Sequence, residues 1–114
     1  MAAAIGIAGA AAAQEEASTG TGAVLRGLDK LNGRTVDIEL DTGQTGTLLG
    51  LEVRLGECRY PVDNPTGDAF AYLVIRERGD SEVRFQGWMI ASSPALNALD
   101  HFRYDVWVLR CKTS

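Results

Sequence analysis

The sequence has no apolar run long enough to cross a bilayer as a helix. Its longest, Ala2 to Ala13, is built of small residues and falls well short of the roughly 20 that a span requires. Histidine is nearly absent, with His101 alone, and there are two cysteines, Cys58 and Cys111, far apart and in no C-x-x-C pattern. Two thiols and one imidazole cannot complete a four-ligand zinc site, and the spacing excludes a redox dithiol motif. The 11 Lys and Arg residues are scattered through a chain of net charge −4, with no cluster interleaved with aromatics. That leaves no electrostatic footprint for a nucleic-acid backbone.

Signatures of catalysis are also missing. No serine sits in a G-x-S-x-G elbow, and Gly20-Thr21-Gly22 does not follow a strand as a phosphate-cradling loop would. Asp37, Glu39 and Glu52 read as a solvated face rather than as paired catalytic carboxylates. His101 has Asp100 and Asp105 beside it and Ser92 and Ser93 upstream, so a Ser-His-Asp grouping is conceivable on paper. Its simpler role is that of a loop residue bonding locally, with Ser93 capping a helical turn. Asp63, Asn64 and Asp68 share a loop, but their spacing is not that of a calcium loop, and turn formation accounts for them. The chain is therefore expected to be no enzyme, and to hold no metal and no cofactor.

What is present begins with an address. Residues 1–13 end in Ala11-Ala12-Ala13 before Gln14-Glu15-Glu16, the pattern of a signal-peptide h-region and cleavage site. No basic residue follows Met1, which fits a true start further upstream. Residues 1–13 are thus expected to be a signal-peptide remnant, 14–22 a flexible linker, and 23–114 one exported domain without a transmembrane span. In an oxidising compartment an even cysteine count reads as a disulfide, Cys58 to Cys111. Two buried free thiols are the alternative.

Alternation speaks for strands. Val36, Ile38 and Leu40 share one face of a segment whose other face carries Asp37, Glu39 and Asp41. A weaker strand, Val24 to Leu31, precedes it, with Asn32-Gly33 as a two-residue hairpin turn. Leu49, Leu51, Val53 and Leu55 share a face, and a bulge at Gly56 would turn Cys58 back inward. Ala69 to Arg76 is apolar on both faces, as in a central strand buried on both sides. Val83 to Ile90 and Tyr104 to Cys111 complete about six strands. Between the last two, Ser93-Pro94 predicts a capped helical turn reaching Leu99. The expected fold is all-β, a small antiparallel sandwich or barrel with one short helical turn near the C-terminus.

The residues hardest to assign to structure alone are Phe85, Trp88, Met89, Tyr104 and Trp107, aromatic or soft side chains of the kind enriched at binding surfaces. With His101, the set Trp88, Met89, Tyr104 and Trp107 forms the candidate binding residues.

The block Gly-Trp-Met-Ile-Ala-Ser-Ser-Pro-Ala-Leu-Asn-Ala-Leu-Asp-His-Phe-Arg-Tyr-Asp-Val-Trp-Val-Leu-Arg-Cys from Gly87, together with Leu28-Asp29-Lys30 and Glu57-Cys58-Arg59, resembles a family of short bacterial envelope proteins, domain of unknown function 2155. The resemblance runs from about Ala23 to Lys112. Phe102 departs from it, standing where a proline is expected. The resemblance implies a periplasmic protein with these two cysteines and no established activity, whose members are often encoded near an accessory subunit of respiratory complex I. The expected function is a non-enzymatic binding or scaffolding module for another envelope protein. The alternatives are a β-domain that binds a glycan or lipid, and an accessory or assembly factor of a respiratory membrane complex.

Overall fold

Alternation decides which side of each strand is dry. In the computed structural model, which describes residues 17–113, it builds eight strands and no helix among those residues. The expected leader, 1–13, lies outside them. The strands are β1 (Ala17–Thr19), β2 (Gly22–Asp29), β3 (Arg34–Asp41), β4 (Thr45–Leu48), β5 (Leu51–Pro61), β6 (Phe70–Glu77), β7 (Val83–Ile90) and β8 (Tyr104–Lys112). Three form one sheet in the order β3-β2-β8. Five form the other, in the order β1-β5-β6-β7 with β4 also on β5, and every pairing is antiparallel. The architecture is sandwich-like. Leu25, Leu40, Val106 and Val108 of the smaller sheet share one core with Leu51, Val53, Leu55, Leu73, Ile75 and Met89 of the larger. Each such side chain contributes about 1.5–3 kcal/mol by leaving water.

The two sheets are also joined covalently. Cys58 on β5 and Cys111 on β8 form a disulfide with a Cα–Cα distance of 5.6 Å. The expected bulge makes this possible. Leu55 faces Leu73 and Glu57 faces Tyr72, so Gly56 is the extra residue, and Cys58 returns to the interior with no exposure.

Residues 17–22 are not a flexible linker. The chain pairs with β5 through β1, then crosses to the other sheet at Gly20-Thr21. Gly20 N–H donates to the Cys58 carbonyl (2.7 Å) and Thr21 N–H to that of Lys112 (2.8 Å). A Cβ at Gly20 would lie 2.7 Å from the Lys112 carbonyl oxygen and 3.0 Å from Cys111 Cβ, so glycine is needed where the corner presses on the disulfide.

Three further expectations change. The helical turn after Ser93 does not form, and Ser93 makes no cap; its carbonyl accepts one bond from Leu96 N–H (3.0 Å) and the segment continues without helix. The reason is reach. Ile90 ends β7 beside Phe70, whereas His101 meets Glu77 at the far end of β6, so residues 91–101 must travel the length of β7, roughly 25 Å at strand rise. Helical residues advance only about 1.5 Å each, and a single turn is poorly nucleated.

The hairpin at Asn32-Gly33 exists, but Asp29 pairs with Arg34, giving a four-residue loop. Asp29 carboxylate accepts Leu31 N–H (3.0 Å) and Asn32 Oδ1 accepts Arg34 N–H (2.9 Å), which stabilises the longer turn and removes Leu31 from the strand. The two-residue turn falls instead at Leu49-Gly50, between Leu48 and its partner Leu51, with Leu49 at φ 58°. The two strands absent from the sequence reading, β1 and β4, are short and rich in Thr, Ser and Gly, and show no apolar alternation.

Candidate binding surface

Strand β6 is central in its sheet, as its composition indicates, but it is not buried on both sides. Ala71, Leu73 and Ile75 point into the core, whereas Phe70, Tyr72 and Val74 are half-buried on the outer face. No helix among the described residues covers that face. Strand β7 adds Trp88, 38% exposed, and Ile90 to the same side.

The register arranges these residues in rows. Arg59, Phe70 and Ile90 form one, and Glu57, Tyr72 and Trp88 the next. The rings of Tyr72 and Trp88 lie 5.4 Å apart at 73°, the edge-to-face geometry their quadrupoles favour. Gln86 Nε2 donates to the Tyr72 hydroxyl (3.0 Å). The Arg59 guanidinium, ion-paired with Glu57, stands 5.8 Å from the Trp88 ring centre. Ala17, Arg59, Phe70, Trp88 and Ile90 line a shallow depression of about 380 Å³. The result is an apolar platform edged by the Arg59–Glu57 ion pair, a surface suited to contact.

The sequence candidates do not converge on this platform. Only Trp88 belongs to it. Met89, 2% exposed, and Phe85 point inward and are core residues. Trp107 is half-buried on the outside of the other sheet, opposite Arg26 and beside Pro94, Ala95 and Ala98. Tyr104 packs against the core, with its ring close over Gly50. Phe70, Tyr72, Ile90 and Arg59 were missed. Their signal was the two-sided apolar run of β6, which in a two-layer protein without helices leaves one apolar side facing water.

His101 lies at the Glu77 end of the larger sheet, 8% exposed. Its Nδ1 accepts the backbone N–H groups of Arg103 (3.0 Å) and Tyr104 (3.2 Å), so the proton sits on Nε2, 2.6 Å from Glu77 Oε1. Its carbonyl accepts Lys30 Nζ (2.6 Å). Beside it Arg103 grips Asp29 through Nη2 (2.9 Å) and Nε (3.2 Å) and holds that carboxyl below the usual carboxylate range, with the Leu31 N–H helping. Both imidazole nitrogens are thus spent on tying the segment that enters β8 to the end of β6. Ser92 Oγ donates to Asp68 Oδ2 (2.7 Å), and Asp68 Oδ1 accepts the Ala69 and Ser92 N–H groups. Among the described residues no three His, Cys, Asp or Glu side chains come together as metal ligands.

The model of a bacterial protein family, described as an uncharacterised protein conserved in bacteria, matches residues 23–111. An uncharacterised protein of Rickettsia prowazekii (strain Madrid E) is 26% identical over 87 residues, covering 74% of this chain and 56% of that protein. The chain therefore spans about half the length of the curated relative it matches. No solved structure matches it.

Proposed function

The chain belongs to the family designated domain of unknown function 2155, and from that premise we propose that it is a non-enzymatic, periplasmic binding module for another envelope protein. One observation carries the reading: the outer face of the five-stranded sheet presents Phe70, Tyr72, Trp88 and Ile90 to water, with Arg59 at the rim. Contact surfaces gather such aromatic and Arg anchors. The disulfide supports an oxidising compartment. That no described helix is long and apolar enough to cross a membrane is compatible with export. The engagement of His101 and Ser92 in holding loops supports a non-catalytic role.

Photocrosslinking in intact cells tests the proposal. A crosslinker at Gln86, on the platform, should trap one reproducible envelope protein, and the same group at Glu39, on the outer face of the other sheet, should not. Trp88→Ala should weaken the purified complex by about 30-fold or more, the loss expected of a contact anchor. Equal trapping from both faces, or an unchanged affinity in Trp88→Ala, sinks the reading. A second reading, a glycan ligand, draws on the exposed Tyr72 and Trp88 rings, whose faces suit the apolar side of a sugar. It predicts that purified glycan strands, rather than a protein, protect Trp88 from oxidation.

A further inference from the structure

The platform has an order that a general contact surface does not require. Its two rows, Arg59-Phe70-Ile90 and Glu57-Tyr72-Trp88, run side by side across β5, β6 and β7, two residues or about 7 Å apart along each strand. Each row begins with a charge on β5, and the two charges are opposite. Each continues with an aromatic ring on β6 and ends with a large apolar side chain on β7.

Consider a second copy turned over onto this face about an axis that crosses the strands midway between the rows. Each row then lies on the other row of the opposing copy. Arg59 of one copy meets Glu57 of the other, Phe70 meets Tyr72, and Ile90 meets Trp88, each contact occurring twice. The strands of the two copies run antiparallel, β5 over β5 and β7 over β7, close to the aligned way in which sheets stack. An axis along the strands gives no such match. It sets β5 over β7 and lays Arg59 on Ile90 and Glu57 on Trp88, with no opposite charge across the contact.

We infer that two copies of this chain associate through the outer faces of their five-stranded sheets, in the first of these arrangements. A twofold contact needs a patch that is complementary to itself, and the alternation of the two rows supplies one. Charge selects the occupant. A partner carrying one sign of charge at this edge would repel either Arg59 or Glu57, whereas a second copy satisfies both. The ion pair, with side chains 50% and 30% exposed, lies at the β5 edge and becomes an alternating set of four charges there. The apolar side chains of β6 and β7 fill the rest of the contact and leave water together, as the centre of an interface does. The dimer goes beyond the partner-binding reading and does not depend on it. Where both hold, a second copy and a partner protein exclude each other on one surface.

Sedimentation equilibrium of the purified full chain, with its disulfide intact, tests this. A monomer–dimer equilibrium is expected. Glu57→Arg and Arg59→Glu each set like charges opposite one another, and each should weaken the dimer about tenfold or more. Mixed together, these two variants should associate more tightly than either does alone, because one face carries two arginines and the other two glutamates. Exchanging both residues in one chain should restore the original dimer. Trp88→Ala should weaken it about tenfold or more, and Glu39→Arg, on the outer face of the other sheet, should leave it unchanged. The inference is overturned if the chain stays monomeric at every concentration, if the charge reversals leave the dimer intact, or if the two variants fail to associate when mixed. Capture of a different protein from Gln86 in cells bears on the partner-binding reading alone, so either result can fail without the other.

Discussion

The two sheets present opposite outer faces to the same solvent. On the three-stranded sheet Val24 of β2 and Trp107 of β8 also face outward, but the outward positions of the edge strand β3, Asp37, Glu39 and Asp41, meet cations on β2 and β8. Arg26 Nε lies 2.7 Å from Asp37, and Lys112 Nζ lies 2.9 Å from Asp41 and 3.6 Å from Glu39. Such cross-strand charge pairs are the ordinary wet side of an antiparallel sheet. On the five-stranded sheet the equivalent positions hold Phe70, Tyr72, Val74, Trp88 and Ile90. Folding asks only for the inward residues, which both sheets supply. An apolar outer face adds nothing to the core and costs solubility, which is why the proposed contact surface is placed there. The functional clue in this chain is a break in alternation rather than a motif.

Uncoupling the two sheets should have the largest effect. The Cys58–Cys111 bond closes a separation of 53 residues, which in the chain-entropy account contributes about 4 kcal/mol. The pair of substitutions Cys58→Ala and Cys111→Ala should therefore shift the urea midpoint far downward, and reductant should do the same to the original chain. Coincident midpoints for oxidised and reduced protein would show that the core alone binds the sheets together.

Adjacent residues on β6 provide a sharper contrast between inside and outside. Leu73 is fully buried and Leu73→Ala should cost about 2–5 kcal/mol, through lost burial and a residual cavity. Val74, its neighbour on the outer face, should tolerate serine within about 1 kcal/mol. Chemical denaturation of both variants measures the difference. Comparable losses would mean that the outer face is structural, and the case for a contact surface would weaken with it.

Much of this was legible in the sequence because alternation and punctuation are local. The clean pattern Val36-Asp37-Ile38-Glu39-Leu40 announces a half-wet strand. The parity slip after Leu55, with Gly56 beside it, announces the bulge that aims Cys58 inward. What failed depended on distant residues. Ser93-Pro94 carries the local signs of a helix start, but the distance from Ile90 to Tyr104 requires extended chain. Asn32-Gly33 favours a tight turn locally, but Asp29, anchored by Arg103 from 74 positions away, lengthens it. The platform was hidden for a similar reason. Two-sided apolarity in β6 has the same composition whether the second side meets a helix or water, and only the layer count tells them apart.

The smallest expected effect compares two ion pairs of different exposure. Arg103 holds Asp29, and Arg26 holds Asp37, each carboxyl below the ordinary carboxylate range. The unfolded chain therefore takes up these protons at a higher pH than the folded one does. The stabilisation from each pair is complete above the unfolded value of about 3.9 and is lost as the pH falls through the lower folded value. Asp29, with 6% of its side chain exposed, should give more than Asp37, with 44%, because water and salt screen the outer pair. Thermal melts of Asp29→Asn and Asp37→Asn between pH 7 and pH 2 read the difference directly. The gap between the original chain and Asp29→Asn should be wide at neutral pH and close below about pH 4, while that for Asp37→Asn should be narrow throughout and vanish in high salt. A gap for Asp29→Asn that stays constant to pH 2 would mean that the Asp29 side chain acts through its hydrogen bonds to Leu31 and Asn32 rather than through its charge.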